Sequence, residues 1–382
     1  QARERGYRGV AGLLCDLYGA NWAGYVYLAG ILIFLVPYVA IQIRGIAIFL
    51  SAIFPEALPA WGWSTAIVAV MLMYSEVGGL RAIIYSDVMQ GTILLVVLWI
   101  IGVSCVVHFG GIGEMFQTVK SVDPALLSTP GPQGLFTFQF LVASFFAIVL
   151  IPVTQPQVTT RLVIMRNKEK MHRMAVSLGV FTALILLPVI AIGMYGAVYY
   201  GEATTREFLS QVLLFERTNI VAATVVIGLI AAAVSTSDSQ LFALGTEVRS
   251  LLSGKERHIL LVTRGFILLF GVLALAVSLV SSDELVLLAR DSFAGTAIMG
   301  PLIISAIFSK RAPGTVLIGA TGLGLLAFLL SRVNLFPFPD TVMGVRLDLF
   351  LFAALTLIAV VSVLLEHFQG DSAIGGQAEN GK

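Results

Sequence analysis

The 382-residue chain is 58% hydrophobic and 12% charged, whereas soluble domains carry about 25% charged residues, and its mean hydropathy is +0.95. A net charge of +1 excludes the basic surface that nucleic-acid binding needs. Cys15, Cys105 and four scattered histidines exclude a disulfide framework and give no metal-ligand spacing.

Ten apolar stretches follow one another at 23–53, 62–79, 83–108, 135–163, 172–199, 219–249, 259–281, 285–308, 313–331 and 345–366, if 135–163 is one helix. They fit the ~20 residues that a helix needs to cross a bilayer. The pattern predicts an all-α, multi-pass protein of the cell (plasma or inner) membrane, with the transmembrane domain over 1–368. Two connections are long. Residues 109–134 are turn-rich, and in 200–218 the run Thr204 to Phe215 reads as a short surface helix. The tail 369–382 is polar and Gly-rich, and reads as disordered. The chain opens at Gln1 with no signal-type segment and reads as a fragment.

Lys and Arg set the expected orientation. One set of helix ends holds 16 of the 23 basic residues: Arg3, Arg5, Arg8, Arg81, Arg161, Arg166, Lys168, Lys170, Arg173, Arg249, Lys255, Arg257, Arg264, Lys310, Arg311 and Lys382. Lys120, Arg206, Arg217, Arg332 and Arg346 fall at the other ends, while Arg44 and Arg290 lie within spans. The bias alternates from loop to loop, which predicts that both ends of this chain are cytoplasmic.

Polar residues at membrane depth are costly and usually face a partner or a watery cavity. The run Ser235-Thr236-Ser237-Asp238-Ser239-Gln240 sits inside 219–249. Ala232, Ser235, Thr236 and Ser239 share one helix face at spacing i, i+3, i+4, i+7. Hydroxyl and carbonyl oxygens are hard ligands suited to Na⁺; a helix-packing face is the other reading. Asp87 opens 83–108, either as part of a polar site or as an acid at a positive helix end. Glu76 and Glu247 read as interfacial. In 135–163, Pro152 and Pro156 flank Val153-Thr154-Gln155, with Gln157, Thr159 and Thr160 following. Proline frees backbone carbonyls, so this is either a kinked packing helix or one of the discontinuous helices that form transporter solute sites. Arg44 and Arg290 could each hold a carboxylate or a structural partner, Asp291 in the case of Arg290. Phosphate loops and nucleophile–base pairs are not seen, which argues against an enzyme.

These segments resemble the sodium:solute symporter family. Gly78-Gly79-Leu80-Arg81-Ala82 with Ser86-Asp87-Val88-Met89-Gln90-Gly91 is similar to its GGLRA…TDxxQ signature. Ala231 to Leu241 is similar to AAxxSTxxSQL. Phe293-Ala294-Gly295 to Gly300-Pro301, followed by Ser309-Lys310-Arg311, is similar to AGxxxxxxGP…SR. Gln155-Pro156 is similar to a GQP turn, with Thr154 in place of the glycine. The resemblance implies a leucine-transporter-like inverted-repeat fold, with 23–53 as the third core helix and the preceding core helices outside this chain. It implies symport of Na⁺ with a small organic solute. Ala232, Ser235 and Thr236 would be sodium ligands, and Asp87, Ser235, Asp238 and Ser239 a second cation position. Asp238 departs from several members. Solute contacts would come from Gln155, Gln157, Gln42, Arg44 and Thr296. The expected partners are the lipid bilayer and a solute, preferably carboxylate-bearing (an amino acid, a monocarboxylate or pantothenate), with no organic cofactor. A transporter-like sensor domain and a transport-inactive fragment are the alternatives.

Overall fold

A computed structural model describes residues 6–7, 9–54, 56–77, 79–165, 167–204, 207–208, 211–212, 219–281, 285–309, 314–333 and 338–379. Its helices are α1 (Val10–Tyr18), α2 (Asn21–Ile53), α3 (Ala60–Val77), α4 (Gly79–His108), α5 (Ile112–Val122), α6 (Phe138–Val149), α7 (Ile151–Thr154), α8 (Pro156–Ile164), α9 (Lys168–Tyr199), α10 (Asn219–Leu251), α11 (Glu256–Val280), α12 (Leu285–Ala297), α13 (Gly300–Phe308), α14 (Val316–Val333) and α15 (Leu347–Glu379). A two-stranded hairpin, β1 (Thr341–Val342) and β2 (Val345–Arg346), pairs Thr341 with Arg346 and precedes α15.

Among the described residues, eight helices are long and apolar enough to cross a membrane, and Ala60–Met73 and Phe138–Val149 are shorter apolar helices. The stretch 135–163 is not one helix. Pro152 and Pro156 break it into α6, α7 and α8. The connection 109–134 contains α5, which buries Met115 and Val119, and a 3₁₀ turn over Pro124–Leu127 capped by Asp123. Much of the expected surface helix from Thr204 to Phe215 lies outside the described residues, as do Arg3, Arg5, Arg8, Arg166, Arg206, Arg217, Lys310, Arg311 and Lys382. Backbone helix continues to Glu379, into the stretch read as a tail. Adding turns to a helix already nucleated by an apolar span costs little.

Burial orders the bundle. In its most apolar window α2 is 56% buried, whereas α9 is 17% buried and turns Val176, Leu178, Val180, Leu186 and Leu187 outward. Such a stripe is tolerable against hydrocarbon and not against water. Helix α2 therefore forms the centre, with α10, α11 and α12 packed on it. Its contact with α12 depends on small residues. A Cβ on Gly295 would lie 2.1 Å from the Phe34 ring, and one on Gly30 would lie 2.4 Å from Met299 Sδ. The contacts Gly30–Met299, Phe34–Gly295 and Tyr38–Phe293 show that the two helices run antiparallel.

Helix α1 lies across the end of α10. Glu247 is fully buried, and its two oxygens accept the Val10 N–H at 3.0 Å and the Ala11 N–H at 2.7 Å. This corrects the interfacial reading of Glu247: the carboxylate caps the first turn of α1 and satisfies two otherwise orphaned donors. The side chain of Glu76 is outside the description.

Candidate ion and solute site

Two helix interruptions meet in the middle of the bundle. Gln155 joins α7 to α8 in extended conformation (φ −98°, ψ 112°). Pro156 has no N–H to give the carbonyl of Pro152, and the Thr159 hydroxyl lies 3.2 Å from that carbonyl and 3.0 Å from that of Gln155, in position to donate. The second interruption, Ile298–Met299, separates α12 from α13. The two are joined by a buried bond: Gln155 Nε2 donates to Thr296 Oγ1 at 2.9 Å. Gln157 Nε2 donates to Gln155 Oε1 at 3.2 Å. Gln155, Gln157 and Thr296 thus form one amide–hydroxyl cluster, and Gln157 Oε1 is buried without a protein partner.

Gln42 and Arg44 are not part of it. The antiparallel pairing of α2 with α12 places Tyr38 opposite Phe293, so Gln42 lies about 10 Å beyond Thr296 toward the Ile53 end, and Arg44 farther still. Both are half-buried. Arg290 bonds to Asp291 at 2.6 Å, the structural alternative of the sequence reading. Together with Arg346, which pairs with Asp348, it flanks the Phe140 ring in a separate cavity of about 190 Å³.

The second polar cluster lies between α4, α8 and α10. Asp87 is nine residues into α4, counted from Gly79, which is too deep for an acid serving the helix N-terminus. Its Oδ1 accepts from the Ser235 hydroxyl, and its Oδ2 accepts from Arg161 Nη2 and, at 3.4 Å, from Ser239 Oγ. The same Arg161 nitrogen donates to Ser239 Oγ at 2.6 Å. One turn away the Thr236 hydroxyl donates to the Ala232 carbonyl at 3.0 Å. Asp238 is 2% exposed, and its Oδ1 has no hydrogen-bond partner. The fold therefore gathers Asp87, Ser235 and Ser239, buries Asp238 one helical turn from Ser235, and leaves Ala232 and Thr236 bonded to each other on the same helix.

Sequence reasoning counted Arg161 only as a basic loop residue. Two signals pointed inward: it lies inside the apolar stretch 135–163, and it stands six residues after Gln155 on a helix that also carries Thr159 and Thr160. Below it opens a cavity of about 880 Å³ between α8, α10 and α11, lined by Thr160, Ile164, Thr246, Arg249, Thr263 and Arg264 among others.

The sodium:solute symporter family description matches residues 11–315, most of the chain and both polar clusters. The chain belongs to the sodium:solute symporter family. Among curated members, a sodium/pantothenate symporter of Haemophilus influenzae is 30% identical over 132 residues, which is 34% of this chain and 26% of that protein. The high-affinity proline transporter PutP of Bacillus subtilis is 22% identical over 259 residues, covering 64% of this chain and 54% of the relative. The chain thus spans between about a quarter and about half of the curated relatives it matches. A solved Na⁺-coupled sialic acid symporter, in a substrate-bound outward-open state, superposes with a TM-score of 0.74 at 17% identity, over 95% of this chain and 78% of that one. Membership and superposition give this symporter-family chain the leucine-transporter-like fold and make it a multi-pass membrane protein.

Proposed function

We propose that the protein is a secondary active transporter that couples Na⁺ to the uptake of a small, carboxylate-bearing organic solute. The observation that carries this reading is the Asp87–Ser235–Ser239 cluster, with Asp238 beside it, sunk among apolar helices about 9 Å along α8 from a second polar cluster at the helix break. Carboxylate and hydroxyl oxygens at that depth form a compact binding place for an alkali cation. Ala232, Ser235 and Thr236 supply one cation position; Asp87, Ser235, Asp238 and Ser239 supply a second. Gln155, Gln157 and Thr296 offer amide and hydroxyl groups to the solute, and Gln42 and Arg44 line its approach from the far end of α2. The names of the relatives, a sodium/pantothenate symporter and a proline transporter, favour a solute with a carboxylate.

The basic ends face the cytoplasm, so both ends of the chain and the 880 Å³ cavity lie on that side. That cavity is the exit. Inward movement of Na⁺ down the membrane potential contributes about 2.3 kcal/mol per charge per 100 mV. The chain needs no organic cofactor and performs no bond chemistry.

The test is Na⁺-dependent uptake in proteoliposomes, with a panel of amino acids, monocarboxylates and pantothenate as competitors. Ser235→Ala and Thr236→Ala each remove one oxygen ligand, worth about 1.4 kcal/mol, and should raise the Na⁺ concentration for half-maximal uptake about tenfold. Uptake indifferent to Na⁺ in the unmodified protein would sink the proposal.

A further inference from the structure

We propose that Arg161 is a tethered cation, whose guanidinium occupies the place at Asp87 and Ser239 that a second Na⁺ would take, so that the two exclude one another. The inference rests on the transport reading above and identifies the residue that regulates its second ion position.

Three observations lead there. Arg161 Nη2 bonds to both Asp87 Oδ2 and Ser239 Oγ, the oxygens that a cation at this position would use. Like charges at such spacing in a part-buried site reduce each other's occupancy on the order of a thousandfold. Asp238, on the same helix as Ser235 and Ser239, is buried, and its Oδ1 has no hydrogen-bond partner. With Arg161 withdrawn, the remaining oxygens would have no positive neighbour from α8, and a small cation would restore it.

The geometry of α8 gives this exchange a cause. Pro156–Ile164 is a short helix that starts at the Gln155 break and ends one turn after Arg161. One face of it, with Thr160 and Ile164, borders the 880 Å³ cavity, so the helix can shift without displacing a packed neighbour there. Solute drawn to Gln155 and Gln157 moves the same rigid piece that carries Arg161. The solute place and the ion place are thereby linked through one helix, with Arg161 acting on the cation by charge and never touching the solute.

The test counts bound Na⁺ on the purified whole transporter in nanodiscs with radioactive sodium, and follows the Na⁺-induced rise in melting temperature. Arg161→Gln should bind one more Na⁺ per protein than the unmodified form, and its Hill coefficient for Na⁺ should rise from about one to about two, as each added site adds up to one. Arg161→Lys, which keeps the charge, should retain the unmodified count. Since removing Arg161 leaves Asp87 bare, Asp87→Asn with Arg161→Gln removes both charges and should return the count to the original. An unchanged count in Arg161→Gln, or an extra ion that persists in the double variant, overturns the inference alone. Unmodified protein that binds no Na⁺ overturns the transport reading and this inference with it.

Discussion

Glu247 shows how much one side chain decides. It is an acid inside an apolar helix, and it is tolerated because both oxygens receive backbone N–H groups from α1. Glu247→Ala leaves these donors orphaned in a buried place and should lower stability by about 2 kcal/mol. Glu247→Gln keeps one acceptor and should lose roughly half of that. Thermal unfolding of the purified protein measures both, and equal stability of the alanine variant would show that water or another group caps α1. Asp87 obeys the same rule with a different partner: it is held by a serine hydroxyl and a guanidinium, groups that can be exchanged for an ion. In sequence, Asp87 sits in a polar motif and Glu247 near a helix end. Local neighbours could not show what holds either acid, because the deciding partners are 237 and 74 residues away.

At the scale of elements, the glycines of the stretch from Ala294-Gly295 to Gly300-Pro301 turn out to shape packing. Gly295 lets the Phe34 ring lie on the backbone of α12, and a Cβ on Gly300 would lie 2.8 Å from Leu150 Cδ1 beside the α7 break. Gly295→Ala pushes a methyl into that ring and should cost about 1–3 kcal/mol. The companion change Phe34→Leu, measured by the same thermal unfolding, should recover part of the loss; full stability of Gly295→Ala alone would show that α2 and α12 yield freely. The prolines announced that 135–163 would break. They did not say where the freed carbonyls would find donors. That depended on Thr159, whose hydroxyl lies 3.2 Å from the freed Pro152 carbonyl. Likewise, Gln42 and Arg44 shared a polar signature with Thr296 in sequence, yet the antiparallel pairing of α2 with α12 sets them at a different depth.

For the whole molecule, the large cavity at the basic end predicts one-sided access. Thr246→Cys, in a background with Cys15 and Cys105 replaced, should react with an impermeant thiol reagent applied from the cytoplasmic side and not from outside. Solute with Na⁺ should change the labelling rate if α8 moves as inferred. Reaction only from the outside would reverse the proposed orientation of the chain.

The sequence by itself determined that the chain lives in a membrane, where the eight long apolar helices of the described residues lie and which family it resembles. Hydrophobic length, charge bias and local motif order are properties of neighbouring residues, and hydrocarbon enforces them directly. It also singled out the hydroxyl and carboxyl groups worth attention. Only the tertiary structure decided which of these meet: Gln155 with Thr296, Asp87 with Ser235 and Ser239, and Arg161 with Asp87 and Ser239. Those pairings depend on how helices far apart in the chain cross and at what depth, and helix packing sets that through close contacts such as Gly295 on Phe34 that no local pattern encodes.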